Sequence, residues 1–363
     1  MQEDKTYSIC YIAGREITYS RTHVILHTLQ KMGHDVHAIL PPDKSFLHYP
    51  KLLLQFLFTI RKCDLVVVGF YGHFLILFVR LITRKPILFD ALVSTFFVMR
   101  DRGQSNKGGF KDQIFFLLDK VAMSAADKII LESNDHTLAR ARVFRLPESR
   151  FKRIYLPTID ATVYPQKIKK SLVPFLVHFH GEFAPFHGVK YILEAAKILE
   201  NEAVIFRIIG DGITAAEDKR LAAELDLQNC EFIERVPFVE LPERMSEAGV
   251  CLGIFGDTVR THHELTNKVI EAMAAGCALI TAKNAPVQEL LQHEKSALLV
   301  PPADAKALAA AILQLKTDSA LRDKLGHNAR KIYLEKCSLE IFQREFNQVL
   351  NDLMQNKYRN GQR

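Results

Sequence analysis

Apolar residues along this chain gather into short runs rich in Val, Ile and Phe, and between the runs they recur at helical spacing. In the first half the runs predict strands over Tyr7–Ala13, Asp35–Leu40, Asp64–Phe70, Pro86–Leu92, Lys128–Glu132 and Phe151–Leu156. Helices are predicted between them over Arg21–Met32, Leu52–Arg61, His73–Thr83, Lys111–Ala125 and Asp135–Phe144. A stretch with Pro165 and the lysines Lys167, Lys169 and Lys170 then reads as a linker, and the alternation restarts. The second set of predicted strands is Phe175–His180, Val204–Ile209, Glu231–Val236, Val250–Phe255, Ala278–Ala282 and Ala297–Val300. Its helices are Val189–Leu199, Ala215–Leu225, Leu241–Ser246, Lys268–Ala275, Val287–Gln292 and Ala305–Leu315, with amphipathic helices over Ser319–Lys331 and Leu339–Met354 in the tail. Strand and helix in strict turn mark a parallel sheet covered on both faces. The expected fold class is α/β, two doubly wound parallel-sheet, Rossmann-like domains facing across a cleft. The expected boundaries are 1–160 for the first domain, 161–172 for the linker and 173–335 for the second domain. Residues 336–363 are expected to form a helix returning towards the first domain.

In doubly wound sheets the loops leaving the carboxyl ends of the strands meet the ligand. In the first domain those loops hold Gly14, Arg15, Tyr71, Gly72, His73, Asp90, Ser94, Asp101 and Arg102. In the second, the stretch from Asn267 to Gly276 reads as a helix with a glycine stop, followed by the buried run Ala278–Thr281. Lys268 and Glu271 lie three residues apart and share one face of that helix. A lysine in a first helical turn, beside free N–H groups, makes an anion site suited to phosphate. Glu271, one turn on, offers two acceptor oxygens that suit a ribose diol. The same spacing also fits a plain Lys–Glu surface pair worth about 0.2–0.5 kcal/mol.

Composition narrows the field. The 363 residues are 48% hydrophobic and 25% charged, values of a globular chain with room for two domains. The longest apolar stretch, Val66 to Ile82, is broken by Gly69, Gly72, His73 and Arg80, so it reads as strand, turn and helix, not a membrane span. The polar start, Met1 to Lys5, lacks the regions of a signal peptide, and the expected location is the cytoplasm. Six cysteines without CxxC spacing read as reduced core residues. Residues 1–165 carry 23 Lys and Arg against 15 Asp and Glu, so the net charge of +7 comes from the first half. A basic half suits an anionic partner such as a phosphorylated acceptor, a membrane surface or nucleic acid. Neither domain has a G-x-G-x-x-G fingerprint, which disfavours nicotinamide and flavin chemistry. P-loop, H-E-x-x-H, G-x-S-x-G and nucleic-acid motifs are also missing.

Specific segments carry a family resemblance. Residues 177–189 (Val177 through His180, Gly181, Phe186, His187 and Val189), the turn Ile208-Ile209-Gly210-Asp211-Gly212, and Leu252 through Gly276 resemble GT-B glycosyltransferases of family 4, the group that assembles bacterial polysaccharides. Ser20-Arg21-Thr22, residues 69–73 and 85–91, with Ser94, Asp101 and Arg102, resemble one subgroup of it. The resemblance implies a retaining glycosyltransferase that needs no metal or other cofactor. It would move a sugar from a nucleotide-sugar donor, bound on the second domain, to a glycan or lipid-linked acceptor met by the first. Glu271 matches the glutamate that holds the ribose, and Asn267 and Lys268 match a pair that meets the diphosphate. Where the family has a donor-sugar glutamate this chain has His263, with Glu264 one residue on. The usual Arg and Lys of the first loop are replaced by Phe183 and His187.

The expected catalytic residues are therefore His73, Asp90 and Lys268. Donor contacts are expected from Gly14, Gly181, Phe186, His187, Gly210, His263, Glu264, Asn267, Lys268 and Glu271. Arg15, Ser94, Asp101 and Arg102 are the acceptor-side candidates. Two other functions stay open at this point: a non-catalytic glycan- or partner-binding scaffold, and a sugar-nucleotide epimerase. Most aromatics of the basic half read as core. Phe110 and Lys111, if exposed, would suit peripheral contact with the inner face of an anionic membrane.

Overall fold

The computed structural model describes residues 5–17, 20–43, 45–158 and 174–361, with Ser20 and residues 356–361 described by backbone alone. The expected linker at 161–172 lies outside the described residues. The chain divides into two compact units, residues 1–159 with 339–363, and residues 160–338.

Unit 1 runs β1 (Ser8–Ile12), α1 (Ser20–Lys31), β2 (Asp35–Ile39), α2 (Tyr49–Thr59), β3 (Leu65–Val68), α3 (His73–Ile82), β4 (Ile87–Asp90), α4 (Thr95–Asp101), α5 (Phe110–Ala125), β5 (Lys128–Leu131), α6 (Asn134–Phe144) and β6 (Phe151–Arg153). The strands form one parallel sheet in the order β2-β1-β3-β4-β5-β6, which changes direction between β1 and β3. Alternation along each strand divides its side chains between two cores. Cys10, Ile12, Val66, Val68, Ile87 and Phe89 face the core under α2, α3 and α5. Ile9, Tyr11, Leu65, Val67 and Leu88 face the other, under α1. Covered on both sides, the inner strands β1, β3, β4 and β5 are apolar at all but their end positions, and that is why they stand out in the sequence.

Unit 2 runs β7 (Phe175–His180), α7 (Val189–Ile198), β8 (Val204–Ile209), α8 (Ala215–Glu224), β9 (Cys230–Ile233), α9 (Leu241–Ser246), β10 (Val250–Leu252), α10 (Val259–His263), α11 (Asn267–Ala275), β11 (Leu279–Ala282), α12 (Ala285–Gln288), β12 (Leu298–Val300), α13 (Ala305–Thr317) and α14 (Ser319–Lys336). Its parallel sheet has the order β12-β11-β10-β7-β8-β9, so the switch point falls between β7 and β10. Phe175, Val177 and Phe179 point into the core shared with α7 and α13. His178 and His180 therefore point the other way. The last helix, α15 (Leu339–Gly361), belongs to unit 1, where Phe342, Phe346, Val349 and Leu350 close the core beside α1.

Two helices differ from expectation. α4 is fixed by its cap, the Ser94 hydroxyl accepting from the Phe97 N–H. α10 is five residues long and is held by a Thr258–Thr261 capping box. β10 is also shorter than expected, because beyond Leu252 the chain turns towards the loop between β7 and α7, where the Phe255 N–H donates to the His187 carbonyl at 2.9 Å.

Candidate active site

α11 positions the residues singled out in the sequence. Gly276, at φ +66°, takes the left-handed conformation that ends the helix, and its N–H closes onto the Ala272 and Met273 carbonyls. Every residue from Lys268 to Ala275 is buried. A Cβ at Gly326 of α14 would strike the Gly276 carbonyl, so α14 approaches α11 as closely as backbone allows. Lys268 and Glu271 thus project from a fully packed helix, not from a surface face, which removes the plain surface pair as an explanation.

Each of the two has a histidine partner from the loop or strand beside it. His180 Nε2 lies 2.6 Å from Glu271 Oε2, and His178 Nε2 lies 3.0 Å from His180 Nδ1. Burial, and then the neighbouring His180, hold His178 well below the ordinary imidazole pKa, so it is neutral. His180 donates to the Glu271 carboxylate through Nε2 and meets His178 through Nδ1. His178 Nδ1 is buried without a hydrogen-bond partner among the described residues. Glu271 Oε1 has no hydrogen-bond partner among the described residues and keeps its acceptor capacity.

Lys268 Nζ lies 3.1 Å from His187 Nε2 and 5.3 Å from the centre of the Phe179 ring. The ammonium can only donate, so His187 carries its proton on Nδ1 and gives it to the Glu182 carbonyl. Burial, reinforced by the Lys268 charge, keeps His187 neutral. Burial also lowers Lys268 to about 8, against the pull of Glu271, Glu264 and Glu182, in that order. Gly181, at φ +146°, allows this placement, since a Cβ there would lie 2.9 Å from Lys268 Nζ. A Cβ at Gly210 would in turn strike the Gly181 carbonyl, so the two glycines let the ends of β7 and β8 close on each other.

Glu264 is reached through a second chain of contacts. Arg260 holds both its oxygens, at 2.6 and 2.9 Å, and stacks 3.8 Å above the Phe186 ring, which itself lies 3.9 Å from the His187 ring. Asn284 fixes this corner by donating to the Thr261 and Glu264 carbonyls. His263 is half-buried at the end of α10, and Asn267 is half-buried in the first turn of α11. Phe183, expected in a donor-loop position, is fully buried in the unit 2 core, whereas His187 reaches Lys268.

In unit 1 the expected catalytic and acceptor-side residues face inward. Arg21 grips both oxygens of Asp90 at 2.6 Å, and both side chains are buried. Asp90, expected as a catalytic residue, thus has both carboxylate oxygens held by a guanidinium. His73 is buried against the Phe89 ring and 3.7 Å from Asp119, and burial lowers its pKa. Ser94, expected on the acceptor side, caps α4 and donates to the buried Asp119 at 2.5 Å. Arg15 is paired with Glu16 at 3.0 Å. Gly14 is required by crowding, since a Cβ there would strike the Tyr49 hydroxyl and the Tyr71 carbonyl. Asp101 and Arg102 are half-buried at the end of α4. Sequence reasoning missed the roles of Arg21 and His178, although the alternation of β7 already put His178 and His180 on one face.

Residues 160–332 match the family model of glycosyl transferases group 1. The chain is a glycosyltransferase whose group 1 match lies within its second unit. This glycosyltransferase is 24% identical over 286 residues to the capsular polysaccharide biosynthesis glycosyltransferase CapM of Staphylococcus aureus, spanning 75% of the chain and 72% of CapM. It is 30% identical over 141 residues to the amylovoran biosynthesis glycosyltransferase AmsK of Erwinia amylovora, spanning 37% of the chain but only 34% of AmsK. Among solved structures, HepE of Anabaena in complex with UDP and glucose superposes with a TM-score of 0.72 at 16% identity, covering 95% of the chain and 99% of HepE. The sucrose-phosphate synthase of Thermosynechococcus elongatus gives 0.79 at 17% identity, covering 96% and 100%. At those identities the likeness supports the GT-B fold. The matched segment of the glycosyltransferase contains α11, both histidine chains and the Arg260–Glu264 pair.

Proposed function

We propose that the glycosyltransferase moves a sugar from a nucleotide-sugar donor to a glycan or lipid-linked acceptor, in polysaccharide assembly, with retention of configuration and without a metal. The observation that carries this reading is the pairing of Lys268 and Glu271 on one buried helix, each seated by its own histidine. Glu271 Oε1 accepts from a ribose hydroxyl, while His180 holds Oε2. Lys268 and the first-turn N–H groups of α11 meet the diphosphate. Glu264, oriented by Arg260, takes the donor-sugar contact in preference to His263, because its charge already acts on Lys268.

As the bond from the anomeric carbon to the diphosphate oxygen breaks, negative charge grows on the leaving group, and the buried Lys268 stabilises it in a medium of low dielectric. The acceptor oxygen bonds to the anomeric carbon on the face the diphosphate leaves, and its proton passes to a phosphate oxygen. That route agrees with Glu271 and Glu264 each being held by a partner, which suits neither for a two-carboxylate hydrolytic mechanism. Cationic compensation by the protein supports metal independence, and activity is expected to persist in EDTA. His73 and the Arg21–Asp90 pair serve as buried supports of the acceptor-side loops.

HepE was solved with UDP and glucose, so UDP-glucose is the first donor to test. Calorimetric titration with a panel of nucleotide sugars is expected to show one preferred donor. Glu271→Ala should weaken it by about tenfold or more, the worth of a hydrogen bond to a charged group. Equal affinity in both proteins would remove the ribose role. Product formation that needs no acceptor would point to epimerisation instead.

A further inference from the structure

Twenty large hydrophobic side chains are exposed in the described residues, and twelve of them lie between Phe46 and Val121. These twelve belong to α2, α3, α5 and the turn that leads into α2. The three helices lie side by side on one face of the unit 1 sheet, and their inner sides supply Leu52, Phe56, Leu75, Ile76, Val79 and Met123 to its core. Their outer sides are apolar as well. α5 presents Phe110, Ile114, Leu117 and Val121, spaced four, three and four apart, as one stripe along its length. α2 adds Leu54, Leu57 and Phe58, and α3 adds Phe74, Leu81 and Ile82. Leu47 is 88% exposed and Phe110 79%, while the Phe46 ring stands edge-on to Phe74 at 6.3 Å. Apolar surface on this scale, gathered on adjacent helices, marks an interaction face.

Charge on the same helices has one sign. The only acidic residues of α2, α3 and α5 are Asp112 and Asp119, and both are buried. Asp112 is held by Arg100 at 2.6 Å, and Asp119 accepts from Ser94. Lys51 and Lys111 on the helices are exposed, as are Arg61, Lys62, Arg84 and Lys107 in the flanking turns. The three helices themselves carry no exposed carboxylate, and the flanking turns hold three, Asp43, Asp64 and Asp127, so cations remain in excess on this face. A second copy meeting this face through a two-fold axis would set like charges together. An anionic bilayer supplies both complements, phosphates for the cations and an acyl boundary for the rings.

We propose that the outer side of α2, α3 and α5 is a docking surface for an anionic lipid bilayer. Leu47, Phe74, Phe110 and Leu117 enter the boundary between headgroups and acyl chains, and Lys51, Lys107 and Lys111 sit at the phosphates. None of the described helices is long and apolar enough to cross a membrane, so the contact is peripheral. The surface deepens the proposed function by giving a lipid-linked acceptor a place to be met, and it rests on that function only for its purpose.

Flotation of the purified full chain with vesicles tests it. Binding is expected to vesicles of phosphatidylcholine with phosphatidylglycerol, to weaken in raised salt, and to be minor with phosphatidylcholine alone. The triple variant Leu47→Glu, Phe110→Glu, Leu117→Glu should stay in the aqueous fraction, and Lys51→Glu or Lys111→Glu should each lower partitioning by about fivefold. Val239→Glu, at an exposed apolar position of unit 2, should float like the wild type. Equal flotation with both vesicles, or none, overturns the proposal. A dimer in sedimentation that the triple variant dissolves also overturns it, in favour of an interface between copies. Donor titration of the same variants keeps the two readings apart: lost flotation with intact donor affinity concerns this face alone.

Discussion

Replacing Lys268 with Met keeps a side chain of similar length against Gly181 and the Phe179 ring while removing the charge. In the folded chain burial lowers the Lys268 pKa from 10.5 to about 8. At about 1.4 kcal/mol per pH unit, that difference is about 3 kcal/mol against folding in the protonated form. The sign follows from linkage: the unfolded chain holds the proton more tightly, so the penalty is full below about 8 and fades as pH rises towards 10.5. Met removes it. Met also leaves His187 Nε2 without its donor, a loss of about 1 kcal/mol for a neutral buried acceptor. The ligand-free variant is therefore expected to be about 2 kcal/mol more stable at pH 7, with the gap closing or reversing near pH 10. It should bind no donor at all. The chain has no Trp, and each unit has its own core, so the readout is hydrogen exchange in peptides from β7 and α7 along a urea series. A variant less stable than wild type at pH 7 would refute the reasoning, because Lys268 would then be stabilised as a cation by the fold.

The same group sets the pH dependence of binding. The diphosphate prefers protonated Lys268, so donor affinity should be flat from pH 6 to 7.5 and fall as pH rises through about 8; a flat calorimetric profile to pH 9.5 would separate the lysine from the phosphate. His180→Phe should raise KM for the donor by about tenfold or more with a smaller effect on kcat, since it frees the Glu271 carboxylate without touching the reacting atoms. His180→Gln, which can still donate, should recover part of the loss, and failure of both variants to differ would make His180 a packing residue. Asp90→Ala leaves Arg21 buried and unpaired and should cost about 3–5 kcal/mol in unfolding experiments on unit 1. The double variant Arg21→Met, Asp90→Leu should recover most of that stability, whereas lost activity in a fully stable single variant would restore Asp90 as a base.

What could be read in the sequence, and what could not, divides along the range of the interactions. Strands such as Leu65–Val68 and Leu279–Ala282 were legible because a sheet covered on both faces leaves at most one polar position, Thr281 in the second, to blur them. α11 was legible because its glycine stop and its Lys268–Glu271 spacing are local. The short α10 has too few residues to show a period, and β10 ends early because of a bond between Phe255 and His187, which are 68 positions apart in the chain. Asp90 looked like a free group at the end of a strand, and only its ion pair with Arg21, 69 residues away, shows otherwise. The Arg260–Glu264 pair is local, at the helical spacing of four, and that spacing by itself favours Glu264 over His263 as the oriented group. His178 and His180 are the intermediate case. Their alternation puts both on one face of a strand whose other face is Phe175, Val177 and Phe179, and two imidazoles on a buried face need a polar partner. Sequence therefore demands that partner, and the fold supplies Glu271 from 91 residues on. A buried polar residue whose partner cannot be local is thus the point in such a chain where sequence states a requirement and topology decides who meets it.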